Sequence, residues 1–290
     1  MGIGKFVPPA LKPTLVKWRN QAHSAWIKKF FSFTSADLIA EARKLGVNTG
    51  DTLLVHSSFG SFEGFEGWIP DAIQAMKDMV GPEGNLMMPT IPFDGSAVEY
   101  ARSGVITDMA RSYSRTGMLT ELFRRDKEVI RSIHPTHPVA IWGKRAHELA
   151  ADHYQSKTPC GAPGPFSRLL EFDGKVLLAG VDIRSMTLFH YAEEVLEPGM
   201  PYPPFTEEWF EFQTRGKDRV LYPSRMRLFE PGLSARRDIT KMIEPMKQAG
   251  LWHQGRVGRL DLYVVGARDA VQILKEMAAR GQYCYSPKVG

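Results

Sequence analysis

Val176-Leu-Leu-Ala-Gly-Val-Asp-Ile-Arg-Ser-Met-Thr-Leu-Phe-His-Tyr-Ala-Glu-Glu-Val195 is the stretch whose reading decides the fold. It opens as a strand: Lys175 to Gly180 is an apolar run closed by a glycine, the pattern of a strand buried on both faces. It closes as a helix from Met186 to Leu196, and the turn between, Val181 to Ser185, is polar. In an open α/β sheet such a strand–turn–helix junction borders the crevice where ligands bind. Thr187, His190 and Glu193 follow one another at intervals of three residues, so they share one face of the helix. Imidazole titrates near neutral pH and can take a proton from a nucleophile, and Glu193 is spaced to orient the ring or stabilise its charged form. A plainer reading stands beside this one. Phe189, Ala192 and Val195 mark a core-facing stripe, and a lone helical histidine often serves only as a surface or capping group.

Working outward, strands and helices alternate. Thr34-Ser-Ala-Asp37 is a helix start, and that helix runs to Leu45 with Gly46 as its stop. Asp51 to His56 reads as the first buried strand. The bend Ser57-Ser-Phe-Gly-Ser-Phe-Glu-Gly64 follows it, then a helix from Trp68 to Val80. Small hydroxyl and glycine residues between a strand and a helix leave backbone N–H groups free for phosphate, although this bend has neither the Walker nor the dinucleotide spacing. Asn85 to Pro89 is a second strand, and Thr90 opens a long connection to Gly117. Met118 to Arg125 reads as a short helix, Val139 to Trp142 as a strand and Lys144 to His153 as a helix. A turn-rich loop, Thr158-Pro-Cys-Gly-Ala-Pro-Gly-Pro165, precedes another short helix to Leu170. The alternation predicts an α/β fold with a mostly parallel central sheet covered by helices on both faces. After Pro198 the texture changes. Met200-Pro-Tyr-Pro-Pro-Phe205 is irregular, and Trp209–Thr214 and Arg219–Tyr222 form a hairpin around Arg215-Gly-Lys-Asp218. Asp238–Gln248 and Ala267–Ala279 are helices flanking a strand at Leu260–Val265, so the hairpin reads as a C-terminal addition to a single domain, residues 35–290.

Residues 1–34 differ. Lys5, Lys12, Lys17, Arg19, Lys28 and Lys29 are basic, and no acidic residue precedes Asp37. Trp18, Ala22, Trp26 and Phe30 recur every fourth residue, which is a helical stripe. A basic helix with aromatic groups on one side suits a membrane surface; docking on the body or on a second subunit, as in a homodimer, is the plainer reading and is preferred.

Composition narrows the class. Hydrophobic content of 43% with a mean hydropathy of −0.25 describes a soluble globular chain, and no apolar run is long enough to span a bilayer. Two cysteines, Cys160 and Cys284, make neither a disulfide framework nor a cysteine-based zinc site, so a cytoplasmic setting is expected. A net charge of +5 suits anionic small molecules, a phosphorylated cofactor, nucleic acid or an acidic membrane surface and does not choose among them, but without a nucleic-acid motif no nucleic-acid partner is expected. His134-Pro-Thr-His137 resembles a metal-ligand pair, but Pro135 and Pro138 disfavour the helix that would align the rings, and no further cluster has ligand spacing. No metal is therefore expected. Asp94, just beyond a strand end, is placed to reach the same crevice as His190, or to remain a solvated loop carboxylate.

Several stretches taken together resemble the aminoglycoside 3-N-acetyltransferase family. They are Val55-His-Ser-Ser58, Gly84 through Pro89, Arg115-Thr-Gly117, Arg131-Ser-Ile-His-Pro135, Gly174 through Gly180, Thr187-Leu-Phe-His-Tyr-Ala-Glu193 and Arg256-Val-Gly258. The resemblance spans nearly all of the body from Ser35. It implies acyl transfer from acetyl-coenzyme A, or another acyl-coenzyme A, to an amino group of an amino sugar. By that resemblance His190 is the general base, Glu193 its partner and Asp94 a third carboxylate. Thr187 sits near the thioester carbonyl, and His56, Ser57, Ser58, Arg131 and Ser132 line the coenzyme path. Two positions depart from the family: Pro138 and Gly164 stand where serines are usual, which removes hydroxyls near the expected path of the coenzyme arm. Aminoglycosides are polycations and this chain is basic, so a less cationic acceptor is expected, such as an amino sugar carried on a nucleotide or a lipid phosphate. Two other readings remain at this stage. One is a metal-dependent hydrolase using His134, His137, His190 and Glu193; the other is a sugar- or nucleotide-binding protein without turnover.

Overall fold

The computed structural model describes residues 12–286, so Lys5 and the rest of the first eleven residues lie outside it. The basic stripe falls on a helix, α1 (Lys12–Phe30). Helix α2 (Ser35–Lys44) starts where Thr34 and Asp37 form a reciprocal capping box. Strand β1 (Thr52–Ser57) leads through the Ser57–Gly64 bend to α3 (Ile69–Val80), and β2 (Asn85–Pro89) follows. The long connection is not bare: it carries α4 (Ala97–Arg102) and β3 (Thr107–Asp108) before α5 (Met118–Phe123). Then come β4 (Ile130–Arg131), β5 (Val139–Gly143), α6 (Ala146–Ala150) and α7 (Pro165–Glu171). The deciding stretch folds as β6 (Lys175–Ala179) and α8 (Leu188–Leu196), with a single 3-10 turn between them. The expected hairpin is β7 (Phe210–Arg215) and β8 (Leu221–Met226). The chain ends with α9 (Pro231–Ser234), α10 (Ile243–Gln248), β9 (His253–Val257), β10 (Leu260–Gly266) and α11 (Ala267–Ala279).

The main sheet runs β4-β5-β2-β1-β6-β10-β9. Its centre, β2-β1-β6, is parallel, and the strands added on either side pair antiparallel. Successive side chains of a strand point to opposite faces, and here both faces are covered. Leu54, Met87, Val176 and Leu178 enter the core shared with α6, α7, α8, α10 and α11. Leu53, Val55, Leu86, Met88 and Leu177 enter the opposite core with α2, α3 and α5. That is why these strands read as unbroken apolar runs. Each such side chain contributes about 1.5–3 kcal/mol on burial. A second sheet, β3-β7-β8, lies to one side. In β7, Phe210 and Phe212 turn inward against Val98, Met226 and Leu228, while Glu211 and Gln213 face out.

The N-terminal extension is tied into the body. Phe33 pairs with Phe65 as a bridge and packs tilted against Phe62 and Phe65, and Phe62 in turn stacks on Phe59. The Phe31 carbonyl lies so close to Gly64 (φ +92°) and Gly258 (φ +55°) that a Cβ at either would stand 2.4 Å from it. Glycine is needed at both positions for that approach and for the left-handed backbone.

Candidate active site

Strands β1 and β6 are parallel neighbours in register, Ser57 opposite Ala179, so the bend after β1 and the turn before α8 leave the sheet side by side. Two hydrogen bonds lock this junction: Ser58 N–H to the Ala179 carbonyl at 3.3 Å, and Ser61 Oγ to the Gly180 carbonyl at 2.8 Å. Asp182 caps the intervening turn by accepting the Arg184 N–H at 2.9 Å. A cleft of about 640 Å³ opens here. His56, Ser57 and Ser58 form one wall, Thr187 and His190 another, and Thr116 to Thr120 a third.

His190 faces this cleft from the first turn of α8. Its Nδ1–H donates to Glu193 Oε2 at 2.7 Å, which leaves Nε2 as the basic nitrogen. Glu193 is buried and is held by Arg237, whose Nη2 donates to Oε2 at 3.1 Å and to Oε1 at 3.2 Å. Phe229 lies over the imidazole with ring centroids 4.4 Å apart. Burial, then the Arg237 charge, lower the His190 pKa, and Glu193 opposes them. The ring is therefore neutral at pH 7 and able to accept a proton. His56 is buried beneath it and is pushed down to about 3 by burial and by His190. Its Nε2 accepts the Thr187 N–H at 3.4 Å, which ties the start of α8 to β1.

His190, Glu193, Thr187, His56, Ser57 and Ser58 are thus brought together, and the other expected residues are not. Arg131 does not line the cleft. It is buried in the scaffold, donating to Thr90 Oγ1 at 2.9 Å and to the Thr90 and Ser112 carbonyls at 2.6 and 2.7 Å, so it clamps the long connection to β4. Ser132 is likewise internal: its Oγ accepts the Val139 N–H and bonds His153 Nδ1, each at 2.9 Å. Asp94 is exposed and pairs with Arg115 at 3.5 Å; it makes no bond to the His190–Glu193 pair. The two departures from the family also fall inside the fold. A Cβ at Gly164 would stand 2.6 Å from His153 Cδ2, so the imidazole fills the space a serine would need. Pro138 is buried, and its carbonyl accepts Thr90 Oγ1 and N–H. Neither lines the cleft.

The hydrolase reading loses its ligands. His134 Nδ1 accepts the N–H groups of Thr136 and His137, and the Glu193 carboxylate is taken by His190 and Arg237. Among the described residues no group of three His, Cys, Asp or Glu side chains is placed to hold a metal. Cys160 is buried, and burial pushes its thiol up, away from nucleophilic use. Sequence reasoning missed Arg237 and Phe229. They lie far along the chain from His190, in segments with no motif, and only the return of the chain after β8 brings them to it. It also missed Glu194, one turn beyond His190, whose pKa is raised to about 8 by burial and by Glu197, and whose Oε1 has no partner.

A helix-borne histidine hydrogen-bonded to a buried carboxylate thus stands beside a hydroxyl-lined cleft, an arrangement able to accept a proton. The family model for aminoglycoside 3-N-acetyltransferases matches residues 54–279, and the chain belongs to that family of acyltransferases. Aminoglycoside N(3)-acetyltransferase VII of Streptomyces paromomycinus is 27% identical over 262 residues, 82% of this chain and 88% of its own length. The crystal structure of aminoglycoside acetyltransferase AAC(3)-IVa, as a histidine-to-alanine mutant in complex with a gentamicin, is similar with a TM-score of 0.73 and 26% identity, over 89% of this chain and 93% of that one. AAC-IIIb, solved as a binary complex with CoASH, has a TM-score of 0.70 at 22% identity over 88% and 99% of the two chains, a likeness of fold.

Proposed function

We propose that this enzyme transfers an acetyl group from acetyl-coenzyme A directly to an amino group of an amino sugar or aminoglycoside, with His190 as the general base. The observation that carries this is one cleft shared by His190 and the Ser57–Ser58 bend. The residues present suit the coenzyme: Ser57 Oγ is buried without a partner on the wall of the cleft, and the bend offers hydroxyl and backbone donors. Bound there, the coenzyme supplies an activated acetyl thioester. The protein's part is acid–base work and positioning. An alkylammonium cannot attack until it loses a proton. That proton leaves to solvent; His190 Nε2 takes a second one from the nitrogen as the C–N bond forms, and returns it to the sulfur as the C–S bond breaks. Glu193 fixes the tautomer and balances the imidazolium, and Arg237 holds Glu193 in place. Alignment of the two substrates supplies much of the remaining acceleration. Thr187, on the cleft wall beside His190, is the hydroxyl closest in sequence to the reacting centre.

Carboxylates already paired with arginines favour an acceptor with few positive charges. Glu193 is paired with Arg237, Glu197 with Arg227 and Asp94 with Arg115. Glu194, raised to about 8, is mostly protonated at pH 7. An amino sugar carried on a nucleotide or a lipid phosphate meets less repulsion here than a polycationic antibiotic. Asp94, exposed on its loop, is assigned to the acceptor rather than to the proton path. A thiol-release assay with acetyl-coenzyme A tests both levels. A broad panel of amines in which none triggers thiol release refutes the acyltransferase reading. High efficiency on gentamicin-type antibiotics with none on nucleotide-linked amino sugars refutes the acceptor class alone.

A further inference from the structure

We propose that α1 is a docking element for an anionic lipid surface. Residues 12–30 contain five basic residues, Lys12, Lys17, Arg19, Lys28 and Lys29, and no acidic one. Among the described side chains the helix touches the body near its C-terminal end, where Ile27 is buried, Trp26 packs tilted against Phe31 with ring centroids 4.8 Å apart and Arg259 lies 5.9 Å from the Trp26 ring. Apart from Lys17, whose side chain is not described, every residue from Val16 to Trp26 is exposed. Trp18 is 72% exposed and Phe30 60%, and with Ala22 and Trp26 they follow one another at four-residue spacing along one side. An unburied helix of this length is marginal in water, so burying one side is a direct gain in its stability.

The chemistry of that side selects the partner. Tryptophan and phenylalanine beside lysine form the surface of helices that lie in the headgroup region, with rings at the acyl boundary and ammonium groups on lipid phosphates. Lys29 stands 5.3 Å from the Phe30 ring and is exposed, so charge and ring reach the same plane. The acidic groups at this end of the molecule, Glu63 and Glu66, line the groove between α1 and the body together with His23 and Lys28, and Glu63 pairs with Arg259. The aromatic stripe is left with basic neighbours of its own helix, a charge match for phosphatidylglycerol-type headgroups.

The test is co-sedimentation of the full chain with vesicles of phosphatidylcholine alone and of phosphatidylcholine mixed with phosphatidylglycerol, at low and high salt. Binding is expected only to the mixed vesicles and is expected to fall with salt. The R19E/K29E double variant should bind at least tenfold more weakly, at about 1 kcal/mol per basic group. Trp18→Ser should also weaken binding, and both variants should keep the thiol-release activity of the parent, which confirms their folding. Equal binding to both vesicle types, or none to the mixed vesicles, overturns the proposal. So does a stable dimer of the parent that Trp18→Ser dissociates, because the stripe then belongs to a second copy of the chain.

Discussion

Two groups of histidines, all lowered in pKa by burial, differ in their hydrogen-bond partners and in their access to the cleft. His190 faces the cleft and has a carboxylate on Nδ1, itself clamped by Arg237. His134, His137 and His153 are buried, with Thr136, Ser132 and backbone amides as their hydrogen-bond partners. His134 and His153 stack at 4.3 Å, and the Nε2 of each has no partner. The lesson concerns environment. A buried imidazole with a carboxylate behind it has part of the charge it takes up compensated. One in an apolar stack resists protonation and acts as a ring-shaped piece of the core. The His-Pro-Thr-His segment resembles a metal pair in sequence, yet its turn is wrapped around the His134 ring.

The largest effect that tests this contrast is on turnover. His190→Ala should lower kcat by about 10²- to 10⁴-fold, the range for loss of a general base. Steady-state thiol release measures it, with circular dichroism to show an unchanged fold. A variant that retains full kcat would move the proton path to another group.

Next come the two residues behind His190, which should shift its titration in opposite directions. Glu193 raises the His190 pKa and Arg237 lowers it. The acid limb of kcat/KM reports this group in the free enzyme. Glu193→Gln should move that limb to lower pH and cost about 10–100-fold in kcat, the range seen when a group behind a functional imidazole is removed. Arg237→Met removes a positive charge and should move the limb to higher pH. Shifts of the same sign in both variants would contradict the electrostatic account and leave only a packing role.

How much of this was legible beforehand follows from how local each signal is. The β1 and β6 runs, the capping box at Thr34 and the α8 face with His190 and Glu193 are set by neighbours within a few residues. They could therefore be read directly. Strand β9, His-Gln-Gly-Arg-Val, could not: it is a mostly exposed edge strand whose side chains carry no apolar pattern. Strand β3 has two residues and exists only because β7 pairs with it from far along the chain. The surroundings of Arg131 and Ser132 are hard to read for a related reason. A motif shows which residues recur together but not whether they face a ligand or a carbonyl, and here they hold the connection after β2. Arg237 was invisible because its partner is 44 residues away.

The buried group can be disturbed without touching the base. Gly164→Ser puts a Cβ against His153, where the distance to Cδ2 would be 2.6 Å. Overpacking of this kind costs about 1–3 kcal/mol. Urea unfolding should show that loss, and the KM for acetyl-coenzyme A should stay unchanged because Gly164 does not line the cleft. Adding His153→Ala should recover part of the stability. If instead KM changes and stability does not, residue 164 faces the donor after all.

The last effect concerns acid. Burial pushes His153 down to about 3, well below its value of 6.5 in an unfolded chain. Between those limits the unfolded state binds a proton that the folded state refuses. Stability is therefore complete above pH 6.5 and falls as the pH drops toward 3. One such group contributes a slope of about 1.4 kcal/mol per pH unit. His56 follows the same course, and His134 and His137 are lowered in the same direction. His153→Phe keeps a ring in the stack and removes one titration, so its stability should decline less steeply below pH 6, by roughly one proton's worth of slope. At pH 7 it should be less stable by about 1 kcal/mol, because Ser132 loses a partner. Urea midpoints across a pH series separate the two effects. Parallel curves for parent and variant would mean that the ring at position 153 is already protonated in the fold, and the division between the two groups of histidines would then fail at that residue.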